Sequence, residues 1–267
     1  MNKDYYLEVT MLISHDYKFI FIHIGKTGGT SIEKVLCEYL NLNFLDTEMS
    51  PEGEWWKHIW AKYMKEYVGE KMWDDYFTFA FVRHPFDMIL SLYSMYTQDP
   101  GYTDPVEHTD VYHPWNQYED FKDFILSMGK RQHEPDEKWR FQLDNLDVRT
   151  TMYIWEDLEN LQTSYLTDSW KGKENGRGEI LVDFVGRFEN LVNDFHQVCQ
   201  IIGLPKLELI HHGATQHQFY QELYTEEMKR IVAEHFSIDL ERFGYSINFS
   251  SPFSQFHDAP FGCSFTV

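Results

Sequence analysis

The chain has 267 residues, 23 Lys plus Arg against 43 Asp plus Glu, and a formal net charge of -20. Its length and its 43% hydrophobic, 17% aromatic content suit one domain with a sizeable core and exclude a disordered chain. The acid excess excludes a nucleic-acid-binding surface, which needs clustered Lys and Arg, so any anion must be held by a few local groups. Cys37, Cys199 and Cys263 lie far apart with no CxxC. That spacing argues against disulfides and structural zinc and for a reducing compartment. No apolar run approaches the ~18 residues of a membrane span. Met1 to Thr10 contains Lys3, Asp4 and Glu8 and no apolar signal core. The expectation is a cytoplasmic chain without a signal peptide.

The first strong element is Lys18 to Ile24, short, β-branched and aromatic, which predicts a strand buried on both faces. It enters Gly25-Lys26-Thr27-Gly28-Gly29-Thr30-Ser31, and helical spacing follows at 32, 35, 36, 39 and 40. Glu54 to Glu70 reads as an aromatic-rich helix. Phe77 to Arg83 is a second buried strand. Pro85 opens a helix over about 86–96. Residues 97–119 read as a long loop or insertion, and such loops are often functional. A short helix is expected over 121–128. Residues 151–155 fit either a strand or a helix start, and 171–178 a polar turn. A third buried strand is expected over 180–188. A helix over 191–202 ends at Gly203 and Pro205. Thr225-Glu226-Glu227 opens a last helix to about 236 with a capping start. From Ser246 a Phe-rich tail reads as cover for a core edge or a partner subunit. Strands alternating with helices predict an α/β domain with a mainly parallel sheet.

Gly25 to Ser31 carries the most chemistry. Glycines let backbone N–H groups approach an anion closely, and the following helix adds unpaired N–H groups and its positive end. Lys26 supplies a point charge, and Thr27, Thr30 and Ser31 supply hydroxyls. A tight turn with no ligand is the plainer alternative. A nucleoside triphosphatase loop places its Lys-Ser/Thr after the glycines, whereas Lys26 stands before them, and the second strand ends in Arg83 rather than an acid that would hold magnesium. An anion met by Lys and Arg without a metal fits sulfuryl or other anion transfer better than ATP hydrolysis.

The stretch Phe19 to Ser31 resembles the 5′-phosphosulfate loop of sulfotransferases that use 3′-phosphoadenosine 5′-phosphosulfate. It is most similar to the heparan 2-O and 6-O carbohydrate type, with its Ile-Pro-Lys-Thr-Gly-Gly-Thr-Ser. Phe79-Ala80-Phe81-Val82-Arg83-His84-Pro85 with Ser91 looks like that family's 3′-phosphate motif. Val182 to Leu191 and Tyr224 to Tyr245 are similar to its late strand and ending. The resemblance covers about residues 18–245 and implies a P-loop-like three-layer fold forming one domain over 1–267. It implies donor contacts from Lys26, Thr27, Gly28, Gly29, Thr30, Ser31, Arg83 and Ser91, and no metal. Arg187 and Phe188 would approach the adenine or 3′-phosphate side. For Arg83 the plainer alternative is a salt bridge to Asp87 with Ser91 facing solvent. Gly25 stands where the family has Pro, and His84 where it commonly has Asn. His211 to His217 falls where the family closes a loop over the donor, which puts Thr215 and His217 there, against a polar surface loop. A zinc site at these histidines lacks Cys or acidic partners with ligand spacing.

Transfer to an alcohol needs a base for the acceptor proton and a cation for charge on the leaving phosphate. The resemblance assigns these to His58 and Lys26. His58 stands 25 residues before Arg83 and is the only His between the two motifs. It would lie at a helix start, with an ordinary surface His as the alternative. His23 reads as a satisfied core residue, and Glu33 as solvated or a cap partner. Trp55, Trp56 and Trp60 read as a sugar-stacking wall or as core. The acid excess predicts a neutral or weakly charged acceptor, a sugar, lipid or small alcohol, walled by Tyr102, Tyr112, Trp115 and Tyr118. A P-loop kinase and a non-catalytic nucleotide-binding relative are the competing readings.

Overall fold

The computed structural model describes residues 12–42, 58–98, 118–133, 161–169, 176–209 and 220–248. Strand β1 (Ile13–Ser14) turns back antiparallel onto β2 (Phe19–Ile22). Helix α1 (Gly29–Leu40) follows, then α2 (Ala61–Val68), α3 (Glu70–Asp75), β3 (Phe77–Val82) and α4 (Pro85–Gln98). Next come α5 (Phe121–His133), α6 (Gln162–Leu166), β4 (Phe184–Arg187), a 3-10 turn (Phe188–Asn190) and α7 (Leu191–Ile201). Helices α8 (Tyr220–Leu223), α9 (Glu226–His235) and α10 (Ser237–Arg242) complete the described residues. The sheet order is β1-β2-β3-β4, and β2, β3 and β4 run parallel. The mainly parallel α/β sheet expected from the sequence is the observed one.

Side chains alternate across a strand, so each strand serves two cores. Phe19, Phe21, Phe79 and Phe81 face α1 and α7, where Ile32, Leu36, Phe195 and Val198 close over them. Ile20, Ile22, Ala80 and Val82 face the opposite layer, with Met64, Phe86, Ile89, Phe124 and Phe236. Helices therefore cover both sides of the sheet, giving three layers. Gly186 of β4 is part of this fit: a β-carbon there would collide with the Phe81 ring. Gly129 does the same for helix packing, since a β-carbon would come within 3.0 Å of Ile231 where α5 meets α9.

Several elements differ from expectation. Helix α5 runs on to His133, through Gly129. The expected helix over 54–70 is, in its described part, two helices separated by Gly69 at φ 80. The third strand is only Phe184–Arg187 and half-buried, because it lies at the edge of the sheet that the described residues form and its approach is occupied by a side chain. Asp183 accepts from Thr78 N at 2.8 Å and Thr78 Oγ1 at 2.9 Å, which locks β4 to the start of β3. Ile180 instead makes an isolated bridge to Thr167. The two-residue β1 was not expected, being too short to show a pattern. The last helix starts as predicted, with Thr225 accepting from Met228 N. Residues 54–57, 99–117, 151–155, 211–217 and the tail from 249 lie outside the described residues, and with them Trp55, Trp56, Tyr102, Tyr112, Trp115, Thr215 and His217. No helix among the described residues is long and apolar enough to cross a membrane.

Candidate active site

Three parallel strands end side by side, and Ile22, Val82 and Arg187 mark their carboxyl ends. Ligands of open parallel sheets bind at that edge. From β2 the chain passes through Gly25 to Gly28 into α1. Lys26 at φ 64 and Gly28 at φ 85 are both left-handed, a conformation that turns successive N–H groups toward one side. A non-glycine residue in that region is uncommon and costs about 1 kcal/mol or more, which sites retain for a purpose. Helix α1 starts with no side-chain cap and no acid in its first turn. Its positive end is thus left for an anion.

The loop hydroxyls divide. Thr27 is fully buried and donates Oγ1 to Ile24 O at 2.8 Å, so its hydroxyl proton is spent holding the loop. Ser31 is buried in the first turn, and Thr30 is half-buried. Gly28 packs on Phe188 and Leu191, with a β-carbon reaching 2.9 Å from Leu191 Cδ2. Lys26 Nζ reaches Met95 Sδ of α4 at 3.5 Å. A small cleft lies beside it, lined by Ile24, Gly25, Lys26, Met88, Leu92, Gln162 and Tyr165.

Arg83 joins the two motifs. Its Nη1 donates to Lys26 O at 3.0 Å, and Nε and Nη2 each meet Asp87 Oδ2 at 2.8 Å. The guanidinium lies 3.9 Å above the Phe188 ring. The salt bridge to Asp87 is therefore present. The other half of that alternative fails, because Ser91 is 3% exposed on the next turns of α4. The Arg83 peptide is itself held by Gln162, which accepts from Arg83 N at 2.7 Å and donates to Arg83 O at 2.8 Å. Asp239 of α10 in turn caps α6, accepting from Gln162 N, Thr163 N and Thr163 Oγ1 at 2.7–2.9 Å. Burial pushes the Asp239 carboxyl up to about 6.

His58 lies in the turn before α2 rather than on a helix. Its Nδ1 donates to His23 O at 3.0 Å. A carbonyl only accepts, so the proton sits on Nδ1 and the neutral ring keeps its lone pair on Nε2. Trp60, the residue before α2, is buried against Tyr63 and Tyr165, which makes it core rather than wall. Glu33 is neither solvated nor a cap: it is buried, and His23 Nδ1 donates to its Oε1 at 2.9 Å. The His23 and His58 ring centres are 4.5 Å apart, edge to face.

Arg187 pairs in register with Val82, but its guanidinium turns to Phe243 O and to the Tyr245 ring, 4.9 Å from the centroid. Beside it, Glu189 accepts from His84 N at 2.6 Å and Tyr245 OH at 3.0 Å, and burial pushes its carboxyl up. His84 Nε2 donates to Ser246 O at 3.1 Å, and burial holds its ring down at about 4, so it is neutral. Where the family commonly has Asn, this chain has an aromatic clamp on residues 245 and 246.

The structure thus gathers Lys26, Thr27, Gly28, Gly29, Thr30, Ser31, Arg83 and His58 around one strand edge, with Ser91 along α4 and Arg187 one strand over. Gln162, Asp239 and Glu189 were missed, since each is a single polar residue whose partner lies far along the chain. Among the described residues, no group of three His, Cys, Asp or Glu gathers as a metal site. The comparisons bear on the same stretch. Neither the curated proteins nor the solved structures give a match. The description "Sulfotransferase family" matches residues 9–166, more than half of the chain, which takes in the loop, His58, Arg83, Ser91 and Gln162. On that match, and with a parallel sheet presenting the loop and Arg83 at one edge, this chain belongs to the sulfotransferase family.

Proposed function

We propose that the protein moves a sulfuryl group from 3′-phosphoadenosine 5′-phosphosulfate to the hydroxyl of a carbohydrate or small alcohol. The observation that carries this reading is the uncapped, acid-free start of α1 facing a left-handed Lys26 whose carbonyl is held by Arg83. These residues fit the donor's charge, because backbone N–H groups and two cations meet at one edge. When bound, the donor supplies an activated sulfuryl group and a phosphate leaving group.

The residues divide the work. The N–H groups of residues 26 to 30 hold the phosphosulfate oxygens, together with the hydroxyls of Thr30 and Ser31. Lys26 offers its ammonium to the charge that grows on the leaving oxygen. Arg83 and Ser91 take the 3′-phosphate, and Arg187 and Thr215 the far side of the nucleotide. His58 accepts the acceptor's proton at Nε2, the nitrogen its bond to His23 leaves unprotonated. The chain's -20 charge favours a neutral or weakly charged acceptor, since a polyanion would be repelled.

Thermal unfolding with adenosine 3′,5′-bisphosphate, without magnesium, tests the donor. At a hundredfold excess over Kd the stabilisation is about 2.7 kcal/mol, or roughly 5 °C or more in a chain of this size. Stabilisation by Mg-ATP but not by the bisphosphate would overturn the reading. An acceptor screen with labelled donor then identifies the alcohol.

A further inference from the structure

His23 and Glu33 have no part in the chemistry above, yet they lie directly beneath the loop. His23 is 4% exposed and Glu33 6%. Glu33 sits one turn into α1 and takes the His23 Nδ1 proton at 2.9 Å. The two ring nitrogens point nearly opposite ways, so a ring held from residue 33 directs Nε2 back toward the start of the helix. The packing agrees: a β-carbon on Gly29 would collide with His23 Cδ2 and Nε2. Gly29 has no side chain, and the histidine edge fills that space at the first turn of α1. Among the described residues no hydrogen-bond partner meets Nε2.

Charge gives this placement a meaning. A buried carboxylate one turn from an anion seat opposes the anion, and a group between the two can relieve both. We propose that His23 is a donor-binding residue that takes up a proton when the phosphosulfate end of the nucleotide binds. As imidazolium it has two N–H donors, Nδ1–H to Glu33 and Nε2–H to an anionic oxygen at the loop. The proton comes from the buffer, and no bond to carbon, sulfur or phosphorus changes. The proposal rests on the donor assignment above and adds a residue to that site. The titratable groups packed directly on His23 are Glu33 from α1 and His58 from the turn before α2.

Calorimetric titration of adenosine 3′,5′-bisphosphate at pH 7.5, in buffers of different ionisation enthalpy, counts the protons taken up. The wild type takes up protons on nucleotide binding. Glu33→Gln keeps an acceptor for Nδ1–H but removes the negative charge, and it loses at least half of that uptake, as does His23→Asn. His58→Asn retains it. Binding without proton uptake in the wild type, or uptake that vanishes only with His58→Asn, overturns the role of His23 and leaves the donor assignment standing. No binding at all overturns both. Should the buried variants fail to fold, ¹⁵N-histidine spectra of the wild type and of His58→Asn read the same event. In each, one imidazole beyond residue 58 becomes doubly protonated on nucleotide addition, and an unchanged set overturns the proposal.

Discussion

Arg83 Nη1 donates to the backbone oxygen of Lys26 at 3.0 Å, across 57 positions of sequence. One bond therefore couples the glycine loop after β2 to the end of β3. The same guanidinium answers Asp87 with two other N–H groups. A planar fork can serve both partners, and an ammonium cannot.

Arg83→Lys keeps the charge and loses the fork. The nucleotide Kd is expected to rise tenfold or more, which is about 1.4 kcal/mol. The unfolding free energy should fall by about 1–3 kcal/mol, because Asp87 or Lys26 O loses a buried donor. A Kd within twofold of wild type would show that Arg83 only braces the loop.

His58→Ala should lower kcat by roughly 10²–10⁴, the range of a general base, with the bisphosphate Kd within about twofold. Turnover that survives the change would move the base elsewhere.

Gly29→Ala separates two effects of opposite sign. Helix propensity alone favours Ala by about 1 kcal/mol. The collision with the His23 ring opposes it, and overpacking of this kind costs about 1–3 kcal/mol. We expect a lower Tm together with weaker nucleotide binding, whereas a higher Tm would mean that the ring has room to yield.

Two buried groups give the pH profile of stability a hidden structure. His84 is held down from 6.5 to about 4 by burial, so the unfolded chain takes that proton first and stability falls as pH drops from 6.5 to 4. Asp239 is pushed up from 3.8 to about 6, so the folded chain takes its proton first and stability rises as pH drops from about 6 to 3.8. Each effect is about 3 kcal/mol at 1.4 kcal/mol per pH step, and over the shared window they largely cancel. Denaturant unfolding between pH 7 and 4 reads the difference of each variant from the wild type, whose own slope also carries Glu189, pushed up by burial. Relative to it, His84→Asn should rise toward acid, and Asp239→Asn should fall. Parallel profiles for all three would contradict the assignment.

The sheet was legible because buried parallel strands are continuous apolar runs, and 19–22 and 77–82 are such runs. The loop was legible because glycine, lysine and hydroxyls coincide at a strand-to-helix junction. Glu33 was misread because one acid on a helix looks solvated until the histidine it faces is known, and that partner comes from a strand ten residues earlier. Gln162 reaches Arg83 over 79 residues and Asp239 reaches Gln162 over 77, which no local pattern encodes. His58 had a local cue in its position, but its tautomer depends on a backbone oxygen that only the fold brings near.

The separation of β3 and β4 bears on how the chain is made. Strand β3 alternates Phe77, Phe79 and Phe81 along one face, and its outer edge is covered only when β4 pairs with it. The bond from His84 to Glu189 spans 105 positions. At ribosomal speeds of about 5–20 residues per second, that aromatic edge waits several seconds for its neighbour. Throughout that interval it is an open template for another nascent copy. Slow synthesis and high expression would therefore both load the aggregation route before the loop at residue 25 has its final surroundings.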